Sequence, residues 1–294
     1  MKWIYGLLPL LILLVFSIVA CVLGYAVVQI ADDWSLNKVI SKITLIFLVL
    51  AIFPAMAYLK IDRHSLGFTG KWRFIKRSGQ GFLLGIATLF PVLLVLYALD
   101  VSVIDQSKSW AAAVIIPKLL VALLLSMLIA LLEEPLFRGV LLAGLRKQFS
   151  CITAIILSAV YYAALHFINT KTAIKSADLQ FSDAFRLLLE AFANVFNPVN
   201  FSALLALLVV GIFLGLLRSQ YKDGLTLCIG CHSAWVWQIK MGKELFNSNA
   251  NSEFIYLVNP YNEVIGPLVS VWLLLSMLLY WLFRQHQAKK RTAK

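Results

Sequence analysis

Eight separate stretches of this chain are long and apolar enough to cross a bilayer, at roughly 3–30, 40–59, 80–99, 115–145, 151–170, 201–218, 224–240 and 264–283. A hydrocarbon core about 30 Å thick is crossed by a helix of about 20 apolar residues. Lipid cannot satisfy backbone N–H and C=O groups, so a spanning segment must satisfy them internally. Composition agrees: 61% of the residues are hydrophobic and 14% charged, where a soluble domain is nearer half and a quarter. The expectation is an all-α fold, a polytopic transmembrane helical bundle of about eight spans, forming a single integral membrane domain over 1–294. The first stretch begins at Lys2, and Ile18-Val19-Ala20-Cys21 loosely mimics a lipoprotein cleavage site. Its apolar run continues to Ile30, further than a cleaved signal needs, so it reads as a retained helix.

The formal net charge of +12 is concentrated in certain connections. Residues 59–80 hold Lys60, Arg63, Lys71, Arg73, Lys76 and Arg77 against Asp62. Arg146 and Lys147, Arg218 and Lys222, and the terminal Arg284, Lys289, Lys290, Arg291 and Lys294 mark further basic segments. The connections at 31–39, 100–110 and 241–263 are acidic or mixed, and the two kinds alternate along the chain. Positive-inside bias then predicts an even number of spans with both termini cytoplasmic. This topology accounts for the basic residues, so no nucleic-acid partner is expected; the partner that composition implies is the lipid bilayer. Cys21, Cys151, Cys228 and Cys231 fall within or beside predicted spans and imply no disulfide framework. Gly81/Gly85 and Gly211/Gly215 carry the i, i+4 spacing that lets membrane helices approach closely. Between 171 and 200, Phe181, Phe185, Leu188, Leu189, Phe192 and Phe196 recur at helical spacing. With an Arg186–Glu190 pair on the other face, they predict an amphipathic helix in the outer interface.

One hexapeptide stands out against this apolar background: Glu133-Glu134-Pro135-Leu136-Phe137-Arg138. Ile115 to Leu132 carries one charge, Lys118, and Gly139 to Leu145 carries none. Each charge at mid-bilayer costs about 2.5–3.5 kcal/mol on insertion scales, so such residues pair, line a cavity or do chemistry. Glu134 and Arg138 are i, i+4 and can pair; Glu133 is rotated by about 100° and has no such partner on its own helix. Pro135 removes a backbone hydrogen bond and disfavours helical dihedrals at Glu134, which predicts a kink. A buried ionic staple between helices is the competing reading.

Two of the four histidines, His166 and His232, fall in predicted spans, whereas His64 and His286 do not. Counted at 1.5 Å per residue from the cytoplasmic ends, Glu133, His166 and His232 lie about 20, 24 and 15 Å deep, at compatible levels. A glutamate and two histidines in a wet pocket suit peptide hydrolysis in either of two ways. The carboxylate can act as general base on water while histidines stabilise the oxyanion, or all three can hold zinc with an open position.

Glu133-Glu134-x-x-x-Arg138, completed by Phe137 and Gly139, with His166 near the end of the next span and His232 two spans later, resembles a known family. It is that of the CAAX-prenyl-protease and bacteriocin-processing (CPBP, or Abi) intramembrane proteases. The resemblance covers a core of roughly 115–240. It implies an endopeptidase acting on a membrane-associated or lipidated protein or peptide. Glu133 would activate water, His166 and His232 would share the site, and Glu134 and Arg138 would support it. No cofactor is needed if the family works by glutamate alone; a divalent metal such as zinc on Glu133, His166 and His232 is implied if it works by metal. Two positions depart from the family pattern. Tyr162 stands where a Phe precedes the first histidine by four, and Val236 stands four after His232, where the family carries Asn or Asp. Asn169, Tyr162 and the indoles of Trp235 and Trp237 are candidates to supply the missing donor.

Cys228-Ile229-Gly230-Cys231-His232 also fits the haem-attachment pattern Cys-x-x-Cys-His. Its expected place near the cytoplasmic side of a span argues for packing instead. Two rivals to the protease remain at this level. One is a catalytically silent CPBP-like membrane scaffold or immunity factor, and the other an ion- or proton-coupled transporter.

Overall fold

The computed structural model describes residues 2–30, 34–64, 66–68, 70–174 and 179–292. Asp32, Asp33 and Lys294, and the side chains of Lys2, Arg284, Lys289, Lys290 and Arg291, lie outside the described residues. Each apolar stretch falls on helix. The first is α1 (Lys2–Val28), and the second is shared by α2 (Leu36–Leu50) and α3 (Ile52–Leu59). The third is α4 (Lys71–Ala98). The fourth runs through α5 (Ala112–Glu134), a widened π-helical segment (Pro135–Leu141) and α6 (Leu142–Arg146). Then come α7 (Cys151–Leu165), α8 (Phe181–Ala193), α9 (Phe201–Gln220), α10 (Gly224–Leu245) and α11 (Pro267–Thr292). The α2/α3 break at Ala51 precedes Pro54, which has no N–H to continue the α2 hydrogen-bond ladder.

Among the described residues, five helical segments are long and apolar enough to cross a membrane: Ile4–Val28, Leu36–Leu59, Lys71–Ala98, Ala112–Arg146 and Pro198–Gln220. Cys151–Leu165 and Pro267–Phe283 are shorter apolar helices. The chain is an integral membrane protein of all-α class, with fewer helices meeting the crossing criteria than the eight expected. α10 misses them because it is interior. Every residue from Gly224 to Trp235 is buried, so α10 is solvated by neighbouring helices and needs little lipophilic surface of its own.

The deepest packing joins α10 to α4. A Cβ at Gly81 or Gly85 would run into the carbonyls of Leu227 or Cys231, and one at Gly230 into the carbonyl of Ser78. Backbones this close require glycine on both helices. Gly211 and Gly215 do the same for α9 against Ala159 and Ile155 of α7. Both glycine pairs read from the sequence thus lie at helix–helix contacts.

The connections gather at two ends. At one end Lys147 donates to the Leu59 carbonyl at 2.5 Å and Arg218 to that of Leu66 at 3.1 Å. Arg73 and Arg77 face Asp223 there at 3.9 and 3.6 Å. Lys71, Arg73, Lys76 and Arg77, expected in a connection, form the first turns of α4, which begins nine residues before the expected span. Gly6 of α1 faces Phe149 and Leu157, and Tyr280 of α11 bonds Gln220, so both terminal helices reach this basic end. At the opposite end β1 (Ser102–Ile104) pairs antiparallel with β2 (Phe246–Ser248), in the register Ser102↔Ser248. Asp105 follows β1; its carboxylate accepts from the Ser107 hydroxyl and backbone N–H, which holds its carboxyl below the ordinary range. Lys118, the one charge in its run, pairs with Glu244.

The helix expected between 171 and 200 is α8, its N-terminus closed by Asp183 accepting from the Gln180 N–H at 2.8 Å. Arg186 pairs with Asp183 at 3.2 Å and reaches Glu190 at 3.9 Å. The buried face differs from the expected one. Ala184, Leu187 and Leu188 pack on α1 and α2, while Leu189 is 72% exposed. Small Ala184 lets the backbone approach α1, where Cys21 Sγ donates to its carbonyl.

Two outcomes follow. Gly230→Ala should lower stability by about 1–3 kcal/mol through overpacking, whereas Gly242→Ala, with nothing within 4 Å of the new Cβ, should stay within about 0.5 kcal/mol; thermal unfolding in detergent distinguishes them. In a cysteine-free background, single cysteines at Trp72 and Asn251 should react with impermeant thiol reagents from opposite faces of the membrane.

Candidate active site

Pro135 shapes the central helix, although not by driving Glu134 out of helical dihedrals. Glu134 keeps helical dihedrals of −67° and −41°, and the missing N–H is absorbed by the π-helical turns over Pro135–Leu141. A π-helix leaves carbonyls without their usual partners; Ser158 of α7 donates to one of them, Phe137, at 3.1 Å. The widened segment is thereby tied to α7, and it presents Arg138 inward.

Glu134 is fully buried and binds two partners with one oxygen. Arg138 Nη1 donates to Oε1 at 3.1 Å, and His232 Nδ1–H donates to the same atom at 2.8 Å. A carboxylate only accepts, so this contact puts the proton of a neutral His232 on Nδ1 and leaves Nε2 as the outward lone pair. Glu133 occupies a different environment. Its side chain is 25% exposed, and Oε2 stands 3.9 Å from His232 Nε2. That is too long for a hydrogen bond and within the span of one bridging water; Oε2 itself is closed off from solvent here. Glu133 Oε2 has no hydrogen-bond partner among the described residues, and neither do Glu134 Oε2 and Arg138 Nη2.

His166 is the C-terminal cap of α7 rather than a mid-span residue. The helix ends at Leu165 because the chain turns there, with the Asn169 amide closing on the His166 carbonyl at 2.9 Å. Its Nδ1–H donates to the Tyr162 carbonyl at 2.7 Å, so here too Nε2 is the free ring nitrogen. Tyr162 lies between the histidines, its ring centroid 4.5 Å from that of His166 and 6.2 Å from that of His232. The Arg138 guanidinium sits 4.2 Å over the same ring, a cation–π contact in a desolvated setting. Tyr162 thus packs against three of the residues that the sequence singled out.

His166 and His232 both line a cavity of about 170 Å³. Its walls are mostly apolar and aromatic, from α4, α9, α10 and α11, and the connection before α11 contributes Tyr261 and Asn262. Val236 lines it as well, so the residue four after His232 does face the site, without a donor. Three of the proposed substitutes are committed elsewhere. Asn169 bonds the His166 carbonyl, Trp235 Nε1 bonds Thr88 Oγ1 at 2.9 Å, and Trp237 Nε1 bonds the Leu119 carbonyl at 3.1 Å. Sequence reasoning missed Lys240, Tyr261 and Asn262. Lys240 lies two turns beyond His232 on α10, a periodicity that was available; the other two reach the cavity from a connection with no motif.

Zinc fits this arrangement poorly. Two ligands of a tetrahedral site with bonds of about 2.0 Å lie about 3.3 Å apart, closer than Glu133 Oε2 and His232 Nε2. Among the described residues no three His, Cys, Asp or Glu side chains are grouped to hold a metal. Haem fits no better at the Cys-x-x-Cys-His sequence. Cys228 and Cys231 are fully buried, Cys228 Sγ contacts the Leu214 carbonyl, and His232 is tied to Glu134.

Fold and site together define a polytopic helical membrane protein in which a cavity lined by His166 and His232 lies beside a buried Glu134–Arg138–His232 cluster; Glu133 is not among the residues lining that cavity. Residues 115–238 match the family model described as type II CAAX prenyl endopeptidase Rce1-like. Over that segment, less than half of the chain, the sequence is similar to this family of CAAX prenyl endopeptidases. Comparison with curated proteins and with solved structures gave no match.

The two glutamates should respond differently to amide substitution. Glu134→Gln strands a buried guanidinium and frees His232, at about 3–5 kcal/mol for a broken buried pair. Glu133→Gln, which breaks no hydrogen bond to a described residue, should stay within about 1 kcal/mol. Thermal unfolding of the two purified proteins measures the contrast.

Proposed function

We propose that this protein is an intramembrane endopeptidase that hydrolyses a peptide bond of a membrane-associated or lipidated protein or peptide. The observation that carries the reading is the pairing of an unbonded Glu133 oxygen with His232 Nε2 at 3.9 Å, while Glu134 holds the other ring nitrogen. Glu133 takes the proton of a water lodged between these two atoms. His232 orients that water through Nε2. The resulting hydroxide adds to the scissile carbonyl carbon, and Glu133 returns the proton to the amide nitrogen as the C–N bond breaks. Glu134 and Arg138 do not touch the substrate; they fix the His232 tautomer and balance the charge.

Negative charge develops on the carbonyl oxygen during the addition and needs a donor. Val236 cannot give one. Tyr162 can: its hydroxyl has no hydrogen-bond partner among the described residues, and its ring is clamped between Arg138 and the two histidines. We assign Tyr162 this role; His166 Nε2, whose ring proton sits on Nδ1, accepts rather than donates. If the hydroxyl does not serve, the apolar Val236 favours the second reading, a catalytically silent family member acting as a scaffold or immunity factor. By positive-inside bias the basic end, with both termini, lies in the cytoplasm, and the connection that brings Tyr261 and Asn262 to the cavity lies toward the other side.

A panel of purified proteins tests the assignment against lipidated peptide substrates. Glu133→Gln should lose about 10²–10⁴-fold in rate. Tyr162→Phe, which keeps the ring and removes the hydroxyl, should lose about 10²–10³. His166→Ala and His232→Ala should also fall, while a Cys228→Ala/Cys231→Ala protein and wild type treated with chelator should keep their activity. Full proteolysis by Glu133→Gln would overturn the mechanism; no proteolysis by wild type would favour the silent reading.

A further inference from the structure

A second cavity, of about 220 Å³, lies between α1, α2, α8 and the end of α7 with the residues that follow it to Thr170. Leu165 and Ile168 line it, whereas His166 between them lines the other cavity. Its wall is mostly apolar, and no Asp, Glu, Lys, Arg or His side chain lines it. Ser41 and Leu45, on one face of α2, are exposed as well as lining, so the cavity opens sideways toward the lipid around α2. Five polar side chains reach it, and three are committed within the protein. Asn37 Nδ2 donates to the Thr170 carbonyl at 2.9 Å, Ser41 Oγ to the Asn37 carbonyl at 2.8 Å, and Thr170 Oγ1 to Glu190 Oε2 at 3.1 Å. Ser17 and Thr44 make no hydrogen bond to a described residue, and Ser17 is only 2% exposed. Ser126, Ser219, Ser233 and Ser276 each donate to the carbonyl four residues back on their own helix. Ser17 and Thr44 do not. A buried hydroxyl left unmet carries its full desolvation cost, and hydrocarbon has nothing with which to meet it.

Depth narrows the choice of occupant. At 1.5 Å per residue Ser17 lies about 16 Å along α1 from Gly6 at the basic end, and about as far from Val28. That is the middle of a hydrocarbon core about 30 Å thick, deeper than phospholipid headgroups and ester linkages sit. With no charged side chain on the wall, an ionised head would be buried unpaired, so the polar group of the occupant is neutral. A cavity of about 150 Å³ holds a benzene-sized ligand; this one takes a polar atom and the first several carbons attached to it. The remainder of a longer chain leaves past Ser41 and Leu45 into the bilayer. We propose that this cavity binds the hydroxyl end of an uncharged, single-chain lipid alcohol, whose oxygen accepts a hydrogen bond from one of Ser17 and Thr44 and donates to the other. An alcohol matches the pair because each hydroxyl both donates and accepts. The site is separate from the His166/His232 cavity and does not rest on the endopeptidase reading.

Photolabelling of the full chain in nanodiscs of zwitterionic phospholipid tests this without any measure of catalysis. The probe is hexadecanol carrying a diazirine near its hydroxyl, and labelled residues are read by peptide mass spectrometry. Label should fall on cavity residues of α1, α2 and α8. Unlabelled hexadecanol should displace it at a tenth or less of the bilayer mole fraction that hexadecane or palmitate requires. That preference should vanish in a Ser17→Ala/Thr44→Val protein. Thermal unfolding of that variant without probe should stay at or above wild type, because the deleted hydroxyls have no protein partner to lose. Ala191→Leu, which fills the cavity from α8, should lose the cavity label while remaining folded. Label confined to lipid-facing residues would overturn the proposal, leaving the cavity to water or to ordinary acyl tails. So would hexadecane competing as well as hexadecanol, palmitate competing better, or a preference for the alcohol that survives the double substitution.

Discussion

A carboxylate sealed from solvent holds this molecule's interior in register. Glu134 contacts Arg138 on its own helix and His232 on α10, and Arg138 lies across the Tyr162 ring of α7. Three helices are therefore fixed by one charge and its two partners. Buried ion pairs of this kind add little net stability over apolar packing, because desolvation offsets the attraction. Their retention is better explained by geometry: an apolar replacement could fill the volume, but it could not choose which nitrogen of His232 carries the proton.

That arrangement also explains why two adjacent glutamates diverge. A helix turns them about 100° apart, so Glu134 enters the closed interior and Glu133 meets the partly open side of the same histidine. One residue fixes the imidazole, and its neighbour keeps an oxygen without a hydrogen-bond partner among the described residues.

Much of this was legible in the chain, and the rest was not for identifiable reasons. Hydropathy marked each helical stretch, since burial in lipid leaves a continuous apolar signature. Helical spacing was enough to pair Glu134 with Arg138 and to place glycines at helix contacts. It gave Glu134 only that one partner, because the bond to His232 joins residues 98 positions apart. Pro135 read as a disturbance of the helix, and the π-helical form that the disturbance takes could not be foreseen from the sequence. α8 was expected, yet Ala184 rather than a large apolar residue governs its approach to α1. Part of the cavity wall was invisible: Tyr261 and Asn262 come from a connection without periodicity, and Lys240 resembled any lysine near a helix end.

The polarity of α10 bears on how the protein is made. A segment carrying Thr226, His232, Ser233, Gln238 and Lys240 has little tendency to leave the translocon for lipid on its own. Its neighbours α4, α5 and α9 precede it in the chain and offer the slot into which Gly230 fits against Ser78. Insertion of α10 is then a templated event during synthesis, and until it occurs the carboxylates at 133 and 134 have no histidine from α10 beside them. Membrane integration and the assembly of the polar centre become a single step of biogenesis.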